Sequence, residues 1–357
     1  MVSVKYPSIF FFACLVLFVA MLSRVDRLFF KGNESFCVRF IYSCLPVQPG
    51  SEQHSVLEDG ELRAICRQRF HYLAKGLHTF AFVSEDGQYV IKFHRFPSHM
   101  RLFPWLNRPL AYHFKQERVK KKQYNLDKYA YMMQSYEQCF RDLKEEAGLI
   151  LIHTQRSSDL QQTITIVDKL GAEYKVRLDD VTFILQHRAE LIYPTLDRLV
   201  QAQRIAEAKQ VVSHVVQLIA SCCAKGYVDN DPVLRKNYGL LLVPNHKSFC
   251  QDLRPGFSAG QSAERAGIFE QAVKREREAQ RNKDGSKIAE NFDGWVLDRA
   301  IHIDVGDMVQ QAGVAEKAAL IAHVKEMTES LRKRLVSEYP MLVEHYTSEI
   351  SSLERTL

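Results

Sequence analysis

An uncharged apolar run near the amino terminus constrains this chain more than any other feature of its sequence. Ser8 to Ser23 reads SIFFFACLVLFVAMLS. As a helix this run spans about 24 Å, against about 30 Å for the hydrocarbon core of a bilayer. It lacks the polar periodicity that a surface helix of a globular domain shows. The run therefore predicts a membrane segment.

Two interpretations of this segment compete, a cleaved signal peptide and an uncleaved anchor. A signal peptide places small residues at positions −3 and −1 of its cleavage site. Here the apolar run ends in Met21-Leu22-Ser23 and Arg24 follows it, so no such pattern is present. We favour the anchor and assign residues 1–30 to an N-terminal transmembrane helix.

The charges beside the segment predict its orientation. Upstream lies Lys5 with the amino terminus, and downstream lie Arg24, Arg27, Lys31 and Arg39. Because the more basic flank stays in the cytoplasm, we expect a single-pass membrane protein whose C-terminal body is cytoplasmic. Cys37 and Cys44 would be reduced thiols there, whereas an exported body would allow them to pair.

Charge and cysteine content exclude several classes of protein. Lys and Arg total 48 against 42 Asp and Glu, giving a net charge of +6. This excess is too small to predict a nucleic-acid partner. Eight cysteines in 357 residues, with no C-x-x-C pair, indicate neither a disulfide scaffold nor a zinc site. Cys222 and Cys223 lie in an apolar helical stretch and are predicted to be buried thiols.

The strand and helix signals follow a simple order along the chain. Phe80–Val83 and Tyr89–Phe93 flank an Asp-Gly turn, which is typical of a β-hairpin. Further strands are predicted at Leu149–Ile152, Thr163–Val167, Val181–Gln186, Tyr238–Val243 and Ala300–Asp304. Helices are predicted at Lys115–Gly148, Leu196–Lys225 and Val314–Leu353. Strands, a helix, strands and then mainly helix indicate an α+β fold.

Five short fragments with chemically useful side chains follow one another in a fixed order. They are Leu73–Phe82 around Gly76, Val90-Ile91-Lys92, Lys144-Glu145-Glu146, Tyr227–Gly239 with its Asp-Asn-Asp-Pro turn, and Ile303-Asp304-Val305-Gly306. This order resembles the protein-kinase-like fold, with its glycine loop, strand lysine, helix glutamate, Asp…Asn catalytic loop and D-x-G. It is also similar to an uncharacterised bacterial family of membrane-anchored kinase-like proteins. The resemblance covers roughly residues 66 to 310.

The resemblance implies an α+β, two-lobed protein-kinase-like fold with one N-terminal transmembrane helix. A β-rich N-lobe would occupy residues 66–190 and a helical, truncated C-lobe residues 191–357. Residues 31–65 would form a membrane-proximal segment and linker. The C-lobe would carry a polar insertion at 245–294.

The resemblance also implies a site for ATP. Gly76 would belong to the phosphate-binding loop, and Lys92 would be a strand-held cation for the phosphates with a part in catalysis. Glu145 or Glu146 would pair with Lys92, and the choice between them stays open. Gln186–Ala189 would bond adenine through the backbone.

A second set of residues would perform the chemistry. Asn237 and Asp304 would bind Mg²⁺, which prefers oxygen ligands. Asp229 or Asp231 would accept the proton of the attacking hydroxyl. The spacing to Asn237 favours Asp231 without excluding Asp229.

The sequence also departs from the kinase pattern. Ala74 and Thr79 replace the outer glycines of the loop, no H-R-D precedes Asn237, and an A-P-E motif is absent. The region on which protein kinases bind a peptide substrate would therefore be missing. We expect a membrane-anchored, ATP- and Mg²⁺-dependent phosphotransferase acting on an unknown protein or small molecule. The alternatives are a catalytically inactive pseudokinase scaffold at the membrane and an exported α+β protein of unrelated function.

Overall fold

The computed structural model describes residues 14–18, 21, 24, 30–43, 54–96, 112–244 and 295–356. The chain divides into two compact units. Unit 1 comprises Met1–Asp127 and Leu151–Leu185, and unit 2 comprises Lys128–Ile150 and Gln186–Leu357. Neither unit is continuous in sequence.

An eight-stranded sheet dominates the first half of the chain. Its strands are β1 His54–Ser55, β2 Arg69–Lys75, β3 Thr79–Ser84, β4 Tyr89–His94, β5 Leu149–His153, β6 Thr163–Val167, β7 Glu173–Arg177 and β8 Phe183–His187. Their spatial order is β1-β5-β8-β4-β3-β2-β6-β7, with β2 and β6 parallel. Helix α1 spans Asp59–Cys66 and helix α2 spans Tyr112–Asp142.

The hairpin predicted from the Asp-Gly turn is confirmed. Strands β3 and β4 pair antiparallel, with Phe80 opposite Phe93. Gly87 has φ = 73°, a left-handed conformation that costs glycine little. The Asp86 carboxylate accepts hydrogen bonds from the Ser84 hydroxyl and the Gln88 amide, at 2.6 and 2.9 Å. Local turn chemistry therefore fixes this register.

Aromatic side chains fill the core of unit 1. Phe80, Phe82 and Phe93 are fully buried on β3 and β4. Phe36, from the segment before the sheet, packs edge-on against Phe80 and Phe82 with ring centroids 5.1 and 5.4 Å apart. Edge-to-face pairs at this spacing add to the stability gained by burial. Phe36 thus ties the early part of the chain to the sheet.

Unit 2 combines helices with two small sheets. Its elements after β8 are β9 Glu190–Leu191, α3 Ile192–Gln201, α4 Ile205–Ala224, β10 Tyr227–Asp229, α5 Leu234–Asn237, β11 Tyr238–Pro244, β12 Trp295–His302, β13 Met308–Gln310, α6 Lys317–Glu338 and α7 Val343–Thr356. One sheet has the order β12-β11-β9, and the other pairs β10 with β13. Helix α4 is buried along most of its length, and α6 and α7 pack against it.

The prediction of one long helix over Leu196–Lys225 is wrong. Helix α3 ends at Gln201 and α4 begins at Ile205. Gln203 between them has φ = 58°, which no helical residue adopts. The residues between the two helices include no glycine or proline, so no local signal marks the break.

The predicted fold class is also wrong as stated. The chain is a mixed α/β protein, and its described residues after β8 form five strands, β9 to β13, as well as helices. Strands β10 and β13 have three residues each, too few for a recognisable alternation. Among the residues described, no helix is both long and apolar enough to cross a membrane.

Several sequence features fall outside the described residues. Most of Ser8–Ser23 does so, as do Cys44 and the insertion at 245–294. Cys222 and Cys223 are described, and both are buried free thiols, as predicted.

Candidate functional site

Unit 2 contains most of the residues that the sequence singled out. Asp229, Asp231, Asn237 and Asp304 all belong to it. They lie in two segments, a loop that follows β10 and a turn that follows β12. We call these the acidic loop, residues 229–237, and the D-x-G turn, residues 304–306.

Two main-chain hydrogen bonds hold these segments side by side. The Ile303 amide donates to the Asn237 carbonyl at 2.6 Å. The Asn230 amide donates to the Asp307 carbonyl at 3.2 Å. Residues just before and just after the D-x-G turn are thus bonded to the two ends of the acidic loop.

The Asp-Asn-Asp-Pro sequence folds into a tight turn through its own side chain. The Asp229 carboxylate accepts a hydrogen bond from the Asp231 amide at 2.8 Å, a pattern typical of aspartate in turns. The Val233 amide then bonds the Asp231 carbonyl at 2.6 Å, and the one-turn helix α5 follows. The loop is therefore locally ordered.

Asp229 is buried and its carboxylate is already bonded. Its Oδ2 atom accepts hydrogen bonds from the Tyr238 hydroxyl at 3.0 Å and from His302 Nε2 at 2.9 Å. The side chains of Asp229 and His302 are each 2% exposed. Burial alone would raise the pKa of Asp229, but the hydrogen bonds and charge of its partners hold that pKa below the usual value. The Asp229 carboxylate thus holds the acidic loop to Tyr238 and His302.

Asp231 has the opposite environment, because its side chain lies at the surface. The neighbouring Asn237 is buried, and its Nδ2 group donates to the Asp231 carbonyl at 2.7 Å and to Asp231 Oδ2 at 3.3 Å. The amide nitrogen of Asn237 is thereby committed to the loop. Of the two aspartates that the sequence left open as proton acceptor, only Asp231 offers an accessible carboxylate.

Asp304 is also exposed and heads its own turn. Its Oδ1 atom accepts a hydrogen bond from the Gly306 amide at 3.3 Å. Helix α2 contacts the turn through Ser135, whose hydroxyl lies within hydrogen-bonding distance of two main-chain carbonyls, 2.8 Å from that of Val305 and 2.9 Å from that of Met308. The main chain of the turn is therefore held in place, and the Asp304 carboxylate extends from it to the surface.

Gly306 allows the close approach of helix α2. A Cβ atom at this position would lie 3.0 Å from the Tyr136 hydroxyl and 3.4 Å from Met132 Cγ. Burial, and then the charges of Asp304 and Asp307, raise the pKa of Tyr136 well above its usual value. Tyr136 therefore stays a neutral phenol beside the turn.

The structure places Glu145 and Glu146 in the turn after α2 rather than on the helix. Glu145 is exposed, whereas Glu146 Oε1 bonds Lys225 Nζ at 2.6 Å and the Ser221 hydroxyl at 2.7 Å. The Glu146 carbonyl accepts from the His302 amide at 2.7 Å. Glu146 thus joins this turn to α4 and β12.

Gly76 and Lys92 belong to unit 1. The Gly76 amide donates to the Thr79 carbonyl at 2.9 Å, which closes a tight turn between β2 and β3. Arg95 Nη1 bonds the Gly76 carbonyl at 3.2 Å and stacks over Phe80. Lys92 is half-buried in the middle of β4, opposite Ala81. Their predicted roles toward phosphate stay predictions.

The predicted adenine-binding segment is tied to the turn after α2. The Gln186 side chain donates to the Ala147 carbonyl at 2.9 Å, and the His187 amide donates to the Gly148 carbonyl at 3.0 Å. Two of its polar groups are therefore engaged within unit 2.

Sequence reasoning missed the residues that organise this site. His302, Tyr238 and Ser135 bond its loop or its turn. Tyr238 lies in the fragment Tyr227–Gly239 but had no role assigned to it, and His302 and Ser135 lie outside every motif fragment. The one usable hint is that His302 precedes Asp304 by two residues on a strand end. Its partner Asp229 lies 73 residues earlier, so spacing could not connect them.

The donor set suits magnesium. In the part of the chain that the structure describes, no three His, Cys, Asp or Glu side chains cluster as a self-sufficient metal site. Mg²⁺ commonly takes only one or two protein ligands and completes its shell with water and substrate phosphates. The Asp304 carboxylate and the Asn237 amide oxygen are donors of the type that Mg²⁺ uses, and they lie on adjacent segments.

Comparisons of the chain with protein-family models, curated proteins and solved structures found no match.

Proposed function

We propose that this protein is an ATP- and Mg²⁺-dependent phosphotransferase whose acid–base residues lie in unit 2. One observation carries the proposal. Two exposed aspartates, Asp231 and Asp304, lie on adjacent segments. The buried Asn237 donates through its side chain to the Asp231 carbonyl and accepts through its own carbonyl from the Ile303 amide, next to Asp304. Phosphoryl transfer needs this combination of a proton acceptor and oxygen ligands for a cation.

Each residue has a separate task in this proposal. Asp304 and Asn237 would hold the metal through a carboxylate and an amide oxygen. The bound metal would neutralise charge on the phosphates. Asp231 would accept the proton of the attacking hydroxyl at its exposed carboxylate, which suits a group that must meet a substrate.

The surroundings of Asp229 argue against it as the base and favour Asp231. A general base must reach the proton that it abstracts, directly or through one water. The Asp229 carboxylate is buried and bonded by Tyr238, His302 and the Asp231 amide. It supports Asp231 instead. The tasks that the sequence assigns to Lys92 and Gly76 of unit 1 stay predictions.

Nucleotide binding by variants of the full-length chain tests the proposal. Thermal unfolding is measured with ATP, with and without Mg²⁺, for wild type and Asp304→Asn. The matched control is Asp298→Asn, an exposed aspartate on β12 outside the D-x-G turn. A site filled at 100 times its dissociation constant adds about 2.7 kcal/mol to the free energy of unfolding.

We expect a Mg²⁺-dependent rise in melting temperature for wild type and Asp298→Asn, and none for Asp304→Asn. The absence of any rise in wild type at millimolar ATP would contradict the proposal. A rise without turnover would instead support the inactive scaffold.

A further inference from the structure

The buried bond between His302 and Asp229 links two separate sheets of unit 2. His302 ends β12, which pairs with β11, whereas Asp229 ends β10, which pairs with β13. Main-chain pairing therefore does not connect these two strand ends. The 2.9 Å side-chain bond does.

Each end of this bond leads within two residues to an exposed acid of the site. Asp229 precedes Asp231, and His302 precedes Asp304. The Asp229 carboxylate uses both oxygens, since Oδ2 accepts from His302 and Oδ1 accepts from the Asp231 amide. The buried Asp229 carboxylate thus connects His302, at the end of β12, with the main-chain amide of Asp231, the proposed proton acceptor.

We propose that His302 is a positioning residue, which acts through Asp229 to hold the proton acceptor Asp231 in place relative to the metal ligand Asp304. The inference rests on the proposed function and assigns to that site a residue with no contact to substrate. A carboxylate of this kind only accepts hydrogen bonds, so His302 Nε2 carries the hydrogen and donates it.

The alternative is that His302 merely fills space in the core. Its ring lies 4.4 Å from the Tyr238 ring, so packing alone could account for its burial. The two roles differ in what a substitution preserves. Glutamine retains an N–H donor close to the position of Nε2, whereas leucine retains only apolar volume.

Hydrogen–deuterium exchange of the full-length chain separates these roles without any ligand. The amides to follow are those of Asn230 and Ile303, which bond the acidic loop to the residues beside the D-x-G turn. We expect exchange in the peptides covering them to rise roughly tenfold in His302→Leu, as for the loss of one buried hydrogen bond. His302→Gln should restore most of the protection.

His345→Leu is the control, because it removes a different hydrogen-bonded histidine, on helix α7. It should leave the Asn230 and Ile303 peptides unchanged. Equal protection of these peptides in His302→Leu and wild type, or equal loss in the Leu and Gln variants, would overturn the inference.

Turnover of ATP with Mg²⁺ is then measured on the same proteins. We expect a rate close to that of wild type in His302→Gln and a clear loss in His302→Leu, because the proton acceptor is no longer held in place. The absence of turnover in wild type would overturn the proposed function, while the exchange result would still decide whether His302 positions the loop. Turnover by His302→Leu at the wild-type rate would overturn the inference alone.

Discussion

The side-chain amide of Asn237 donates a 2.7 Å hydrogen bond to the main-chain oxygen of Asp231. This bond fixes which end of the amide faces the loop and leaves the oxygen end as the possible metal ligand. Because Asn237 is buried and Asp231 is exposed, the pair joins the core of unit 2 to its surface.

Asn237→Ala removes this bond and leaves the Asp231 carbonyl with one donor fewer. We expect a loss of roughly 1–2 kcal/mol in the free energy of unfolding, measured by urea denaturation. Mg²⁺-dependent binding of ATP should also be lost. Asn230→Ala, at an exposed asparagine in the same loop, should change neither quantity. Equal behaviour of the two variants would contradict a special role for Asn237.

Gly306→Ala tests the packing of the D-x-G turn on helix α2. The added Cβ would lie 3.0 Å from the Tyr136 hydroxyl, so that hydroxyl must move away. Because Tyr136 is buried, there is little room for this movement. We expect a destabilisation of about 1–3 kcal/mol, as for overpacking of a core. Gly60→Ala, where a Cβ meets nothing within 4 Å, serves as the control. A neutral Gly306→Ala would show that the turn is loosely held.

Glu146 predicts a specific dependence of stability on pH. Burial would raise its pKa, but hydrogen bonds from Lys225 and Ser221 hold that pKa below the usual value. Because the pKa of Glu146 is lower in the folded chain than in the unfolded chain, where it is near 4.5, its carboxylate stabilises the fold at pH values above 4.5. This stabilisation is lost as the pH falls through the pKa of the folded state. Glu146→Gln should therefore cost roughly 1 kcal/mol at pH 7 and little at pH 3. A cost independent of pH would contradict this account.

The sequence predicted best what is decided over short distances. The β3–β4 hairpin follows from Asp86-Gly87 and its alternating flanks, and the structure confirms it. The bond between Asp229 and His302 could not be predicted, because tertiary folding alone brings their strands together. The break at Gln203 was missed for a related reason, since no local residue there disfavours a helix.

The acidic site shows the same division. Motif order placed Asp231, Asn237 and Asp304 in one hypothesis, and the structure brings their segments together within unit 2. Our proposal of Asp231 rather than Asp229 as the proton acceptor rests on burial and bonding, which the spacing of residues does not contain. The position of Glu146 beside Lys225 likewise depended on where helix α2 ends, at Asp142.

Turnover of ATP by Asp231 variants tests the central claim most directly. Release of the γ-phosphoryl group from labelled ATP with Mg²⁺ is measured on the full-length wild type, Asp231→Asn and Asp298→Asn. Positioned proton acceptors contribute roughly 100- to 10,000-fold to such reactions. We predict that Asp231→Asn retains Mg²⁺-dependent binding of ATP but loses turnover by at least about 100-fold, while Asp298→Asn matches wild type. Turnover by Asp231→Asn at the wild-type rate, or binding without turnover in wild type, would contradict the account.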